Sequence, residues 1–316
     1  MKTYNRSVLV TGGAGFIGSH LCEALVRRDA HVTVADNLSN STLQNLQNIA
    51  DQIEFHELDL RSSAFRDLLL TGDFDVIFHL AANAYVPPSI ENPDYDFQTN
   101  LVASFQLLET LRGSGLGSTL IVASSAAVYG NPSRIPISET DITVPISPYG
   151  VSKLAMERYV SVYSPLYGLK AASLRFFSAY GPRQRKQIVY DFIKKISNNP
   201  GELVILGDGT QVRDLIYVED IVQAALVVLD NAPLEGEVYN VAGGRGYSTR
   251  EIAETMTNVM GLSPKFHYTG CIRPGDPEKW IACIDKISRL GFRPRISLGE
   301  GIKRTIGWYT SIKDPA

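Results

Sequence analysis

Short apolar runs alternate, along the first half of the chain, with longer segments whose apolar positions recur every three or four residues. SVLVT (Ser7–Thr11), HVTVAD (His31–Asp36), IEFHELD (53–59), DVIFHLA (75–81) and STLIVASS (118–125) have the length and β-branched content of strands. FIGSHLCEALVRRDA, starting at Phe16, and the segment 93–112 carry the helical spacing instead. Strands alternating with helices predict a parallel, doubly wound sheet covered on both faces. After about Leu174, glycine, proline and charge interrupt the pattern, as in YGPRQR, SNNPGE, LGDGTQVRD and IRPGDPEK. Short strands (LVILG, EVYNVAG) mix there with helices over 217–230, 248–260 and 298–309.

Composition narrows the function classes. Of 316 residues, 44% are hydrophobic and 20% charged, ordinary values for a soluble globular protein. A net charge of -3 leaves no broad basic surface for nucleic acid or an anionic membrane, so neither is expected as a partner. No apolar run reaches the roughly 20 residues that span a bilayer. Cys22, Cys271 and Cys283 form no CxxC pair, and the five histidines no ligand-spaced cluster. A reduced, cytoplasmic setting without a metal site is the simple reading.

The turn after the first strand reads Thr11-Gly12-Gly13-Ala14-Gly15-Phe16-Ile17-Gly18. Gly12, Gly15 and Gly18 suit a tight turn, a close approach of backbone to a pyrophosphate, and close helix–strand packing. The helix that follows points its N-terminal dipole at the phosphates. Asp36, closing the second strand, stands where a carboxylate accepts hydrogen bonds from an adenosine ribose. A 2′-phosphate would meet like charge there, and the following Asn37-Leu38-Ser39-Asn40 offers no arginine, so NAD is the expected cofactor rather than NADP.

A second constellation lies further on. VASSAAVYG (122–130) places Ser125 at a strand end, and Tyr149-Gly150-Val151-Ser152-Lys153 opens a helix behind Ser147-Pro148. Tyr149 and Lys153 are i, i+4 and share a face, so the ammonium, together with the positive nicotinamide ring of NAD+, is expected to favour the tyrosinate as a general base. A half-buried tyrosine beside a solvated lysine is the plain structural alternative.

Taken together, TGGAGFIGSHL, DNLS, HLAA, TN, SSAAVYG, YGVSK, LRFF, YGPRQ, VRDLIYVED and RPGD resemble, over essentially the whole chain, the extended branch of the short-chain dehydrogenase/reductase superfamily, the nucleotide-sugar epimerases and dehydratases. That resemblance implies an α/β Rossmann-type fold, with an NAD-binding domain over 1–175 to which about 210–245 returns, and a smaller nucleotide-sugar-binding region over 176–316. It implies Asp59, followed by Leu60, at the adenine, and Leu80, Ala81, Ala82 and Asn100 along the cofactor. Arg213, Arg273 and Asp276 match its substrate-binding positions, as do Ser89 and Ser178. Its dehydratases carry carboxyls where this chain has Ala126 and Ala127, so epimerisation at C4 through a 4-keto sugar is expected rather than loss of water. Arg185 is open between a hexuronate carboxylate, a phosphate and a plain surface position. Bulk at Trp280 disfavours an N-acetylhexosamine. A 4-ketoreductase and a non-catalytic dinucleotide-binding regulator are the competing readings, and a homodimer built on helices over 94–111 and 149–164 is the implied assembly.

Overall fold

The computed structural model describes residues 5–271 and 279–313. Its strands are β1 Ser7–Thr11, β2 His31–Asp36, β3 Ile53–Glu57, β4 Val76–His79, β5 Thr119–Ser125, β6 Ala171–Phe176, β7 Ser178–Tyr180, β8 Glu202–Ile205, β9 Val212–Tyr217, β10 Glu235–Val241, β11 Gly246–Ser248 and β12 Lys265–Tyr268. Seven of them form one sheet in the order β10–β6–β5–β4–β1–β2–β3, every neighbouring pair parallel. The expected doubly wound α/β sheet is present. Its order reverses direction between β1 and β4, which opens a crevice above the carboxyl ends of the strands.

Both faces of the sheet are dry, which is why its strands read as continuous apolar runs. On one face, helices Phe16–Val26 and Val218–Asn231 pack over Val8, Val10, Val34 and Phe78. On the other, helices Ser63–Thr71, Ala103–Ser114 and Pro148–Tyr167 pack over Leu9, Ile77, Leu120 and Val122. Strand β6 (AASLRF) is buried at every position but lacks both alternation and a β-branched run, so the hydrophobic pattern did not announce it. The chain returns to the sheet late, through helix Val218–Asn231 and β10, which pairs with β6. Beyond the sheet, β11–β9–β7 and β12–β8 surround a separate core of Phe192, Ile193, Ile205, Ile252, Met256 and Ile302. Phe16 and Ile17 touch both cores, so the helix at the crevice floor joins the two parts.

The helix Pro148–Tyr167 is fixed by a buried ion pair. Arg175 of β6 holds Glu157 through two parallel bonds, Nε to Oε1 at 2.9 Å and Nη2 to Oε2 at 2.7 Å, with both side chains nearly inaccessible to water. Arg175 also donates to Tyr129 Oη at 2.7 Å, and Tyr129 donates to Asn240. Removing one partner strands the other charge in the core. Glu157→Ala is therefore expected to cost about 3 kcal/mol or more of stability, read from urea unfolding; a loss under about 1 kcal/mol would mean the pair is peripheral.

Candidate active site

The crevice is a cleft of about 900 Å³ that draws on both parts of the molecule. At its floor, Gly12 has φ +70°, and a Cβ there would stand 2.7 Å from the Ala81 amide nitrogen. A Cβ on Gly18 would stand 2.2 Å from the Gly12 carbonyl oxygen, so helix and turn can touch only without one. Gly15 caps the helix without a side chain and lines the cleft with Phe16, Ile17 and Gly18. Asp36 reaches the same floor: Oδ2 accepts from the Ala14 amide at 3.0 Å, and Oδ1 from the Leu38 amide and from Ser41 Oγ at 2.7 Å. The carboxylate thus holds the glycine turn and the 37–41 loop at a fixed separation while still lining the cleft beside Asn37.

Leu60, Leu80, Ala81 and Ala82 line the wall as expected. Asp59 lines it too, but Arg61 clamps its carboxylate through Nε at 2.9 Å and Nη2 at 2.6 Å and holds its pKa down at about 2. Asn100 departs from expectation. It is buried behind the wall, where its side chain bonds the Asn83 amide at 2.7 Å, and the neighbouring Thr99 faces the cleft instead. Thr99 Oγ1 is buried without a hydrogen-bond partner, the condition of a group that meets its partner only when a ligand is bound. The helical path from Pro93 to Ser114 widens over Phe97–Val102 into a π turn, which produces this exchange of neighbours. Glycine floor, cleft-lining carboxylate and orphaned hydroxyl fit a dinucleotide.

Ser125, Tyr149 and Lys153 converge on the far wall. Ser125 ends β5, accepts the Ala127 amide at 3.2 Å and lies near enough to the Tyr149 phenol to favour its ionised form. Lys153 Nζ donates to the Ala123 carbonyl at 2.8 Å and stands 5.9 Å from the Tyr149 ring centroid. Burial dominates both groups. It raises Tyr149 to about 12, with the Ser125 hydroxyl opposing and the Asp96 charge adding, and it lowers Lys153 to about 8. Loss of water thus outweighs the ammonium, which leaves the nicotinamide charge as the other expected source of tyrosinate stabilisation.

On the substrate side, Ser178, Arg213 and Trp280 line the cleft, Trp280 held by its Nε1 donating to the Gly130 carbonyl at 3.2 Å. Arg185 lines it from an exposed loop, at a border shared with a smaller cavity formed by Gln44, Asn45 and Trp308. Ser89 does not reach the cleft. It is fully buried, donates to the Val86 carbonyl at 2.7 Å and accepts the Tyr149 amide at 3.2 Å, so it seats the start of the tyrosine helix. Arg273 and Asp276 lie outside the described residues.

Sequence reading missed several groups that the fold brings here. Tyr85 donates to Gln184 at 3.2 Å and lies under Lys186, tying the 83–87 loop to the 181–187 loop across the cleft. His20 Nε2 bonds the Pro182 carbonyl at 3.0 Å, and Arg183 pairs with Glu23, tying the second loop to the glycine helix as well. These partners are far apart in sequence and carry no common motif.

A glycine-floored parallel sheet with serine, tyrosine and lysine on its opposite wall defines a dinucleotide-dependent enzyme of the short-chain dehydrogenase type. The model of the NAD dependent epimerase/dehydratase family matches residues 8–242, and the chain belongs to that family. It is an NAD-dependent enzyme. A putative UDP-glucose 4-epimerase of Methanocaldococcus jannaschii is 35% identical over 95% of this chain and 97% of its own length. The solved UDP-N-acetylglucosamine 4-epimerase of Methanobrevibacter ruminantium superposes with a TM-score of 0.91 at 33% identity, over 99% and 100% of the two chains. The UDP-glucuronic acid 4-epimerase of Bacillus cereus, solved with UDP-glucuronic acid and NAD, gives 0.89 at 32%, over 97% and 99%.

Beneath the cofactor wall, His79 bridges Thr11 Oγ1 at 2.9 Å and Ser104 Oγ at 2.8 Å, while Ser104 donates to the Asn100 carbonyl. The serine proton is already committed, so the network assigns the histidine proton to Nε2 and leaves Nδ1 to accept from Thr11. Burial lowers His79 from 6.5 to about 3. The unfolded chain therefore binds a proton below pH 6.5 that the folded one refuses, and stability falls as pH drops from there towards 3. Between pH 7.5 and 5 the wild type should lose about 1–2 kcal/mol more than His79→Gln in urea unfolding; equal losses would contradict a neutral buried histidine.

Proposed function

We propose that the protein interconverts the C4 epimers of a UDP-hexose, glucose and galactose or their uronic acids, through a 4-keto intermediate. One observation carries the choice within the family: the Ser125–Tyr149–Lys153 set faces the cleft, and the next cleft-facing residue along the chain is Ala127. Tyr149 Oη takes the C4 hydroxyl proton, and Ser125 Oγ, at the same wall of the cleft, orients the same hydroxyl. NAD held over the glycine floor would supply the hydride acceptor at C4 and the hydride returned to the opposite face, and its positive ring would add to the stabilisation of the Tyr149 tyrosinate. Ala126 and Ala127 have no proton to give, so the keto sugar is not drawn towards elimination of water.

Arg213 is suited to the diphosphate, since a guanidinium donates to phosphate oxygens in a fixed planar geometry. Arg273 and Asp276 are proposed for the diphosphate and the nucleotide ribose from their motif alone. Ser178 leaves room and a hydroxyl at the sugar, and Trp280, edge-on to Phe177 at 6.2 Å, fills the position where an N-acetyl group would need space.

A homodimer is proposed from an apolar stripe. On helix Pro148–Tyr167, Val151, Tyr159, Val162 and Leu166 recur at helical spacing and are 41–65% exposed. Phe97, beside them on the neighbouring helix, and Ile142, Val144 and Ile146, just before the helix, are exposed as well. Two such helix pairs from two copies would cover one another about a twofold axis.

The functional reading is tested by incubating the protein with UDP-glucose, UDP-galactose, UDP-glucuronate and UDP-N-acetylglucosamine, without added cofactor. A C4 epimer of one of the first three is expected, and Tyr149→Phe should slow its formation by at least about 100-fold. Consumption of NADH or NADPH on a 4-keto sugar, with no epimer formed, would put a 4-ketoreductase in its place. Light scattering should report a dimer for the wild type and a monomer for Val162→Glu/Leu166→Glu; a wild-type monomer would remove the assembly.

A further inference from the structure

We propose that Asp96, a residue behind the cleft, is a positioning residue whose negative charge sets the protonation of the Lys153–Tyr149 pair. It closes the short helix Pro93–Asp96 and is fully shielded from solvent. Ser152 Oγ donates to its Oδ2 at 2.8 Å, Asn100 Nδ2 donates to Oδ1 at 2.8 Å, and Asn83 Nδ2 lies 3.5 Å from the same oxygen. Burial raises the Asp96 carboxyl, and the neutral Ser152 and Asn83 donors together with Lys153 oppose that rise and favour the ionised form. A buried carboxylate bonded by neutral groups keeps an uncancelled charge in a medium that screens little. The cation on which that charge acts is Lys153, the residue after Ser152.

Of the other ionisable groups around this pair, Glu157 also favours the proton on Lys153 but less than Asp96 does, and each has its own partner. Glu157, one turn beyond Lys153 on the same helix, is clamped by Arg175 of β6 and accepts from Ser124 of β5. His79 of β4 is held neutral between Thr11 and Ser104. Tyr85, from the loop over the cleft, donates to Gln184. Asp96 thus acts on both members at once. It keeps the proton on Lys153, which burial would otherwise drive off, and it opposes ionisation of Tyr149. The phenol remains a phenol until a positive ring arrives beside it, which couples proton removal to the presence of oxidised cofactor.

The role rests on Tyr149 as the base, so the primary readout is independent of substrate. Asp96→Asn removes the charge, keeps an oxygen for Asn100 and turns an amide N–H towards Ser152 Oγ. Tyr149 is titrated in the NAD-bound protein by tyrosinate absorbance, as the difference between each protein and the same protein carrying Tyr149→Phe. Asp96→Asn should shift the Tyr149 midpoint down by about one pH unit, whereas Ser152→Ala, which loses the bond and keeps the charge, should leave it in place. Should the asparagine variant not fold, Asp96→Ser removes the same charge and is read in the same way. Equal midpoints in wild type and the charge-removed variant, or an equal shift in Ser152→Ala, would overturn the proposal. Where a UDP-sugar is turned over, the acid limb of kcat/KM against pH should move by the same amount. Absence of turnover on every sugar would count against the substrate reading and leave the titration intact.

Discussion

Two consecutive residues of β5 hold two successive turns of one helix, and the active site depends on that seat. Ala123 accepts from Lys153 and Ser124 donates to Glu157, while Ser125, at the strand end, lines the cleft with Tyr149. Tyr149, Lys153 and Glu157 stand at i, i+4 and i+8 on the helix, a single stripe. Lys153 and Glu157 are buried, and each is tolerable only because the strand or its neighbour β6 supplies a partner. These two anchors hold the turn that carries Tyr149 at the cleft. Ser89 completes the seat from the other side by taking the first free amide of the helix region, that of Tyr149 itself.

The same arrangement explains why the site is chemically quiet when empty. Burial raises the phenol, so the tyrosine rests in its protonated form, beside a lysine that burial lowers to about 8. The glycine floor sits opposite, at the reversal point of the sheet, where a dinucleotide brings its own charge into the cleft. Two loops, 83–87 and 181–187, cross above it and are tied to each other and to the glycine helix.

Much of this was legible in the sequence where the chemistry is local. Gly12, Gly15, Gly18 and Asp36 are set by one strand–turn–helix unit, and the Tyr149–Lys153 spacing by a single helix, so spacing alone carries them. Reading failed where position depends on packing between distant segments. Ser89 and Asn100 look like cleft residues by motif, yet both are buried as supports, and nothing local signals the π turn that puts Thr99 in front. Asp96 meets Ser152 across 56 positions and Tyr85 meets Gln184 across 99, contacts that no periodicity records. Strand β6 escaped for another reason: its alanines are small core residues without β-branching, and its arginine is buried only because a distant partner, Glu157, pairs with it.

The central claim is that hydrogen leaves C4 of the sugar and returns to the same carbon within one closed site. It is tested by giving the protein a UDP-hexose labelled with deuterium at C4, in ordinary water and without added cofactor, and reading the product by NMR. The account predicts the C4 epimer with its deuterium still on C4. An epimer in which solvent hydrogen has replaced the label, or a C4 epimer formed equally well by Tyr149→Phe, would contradict it.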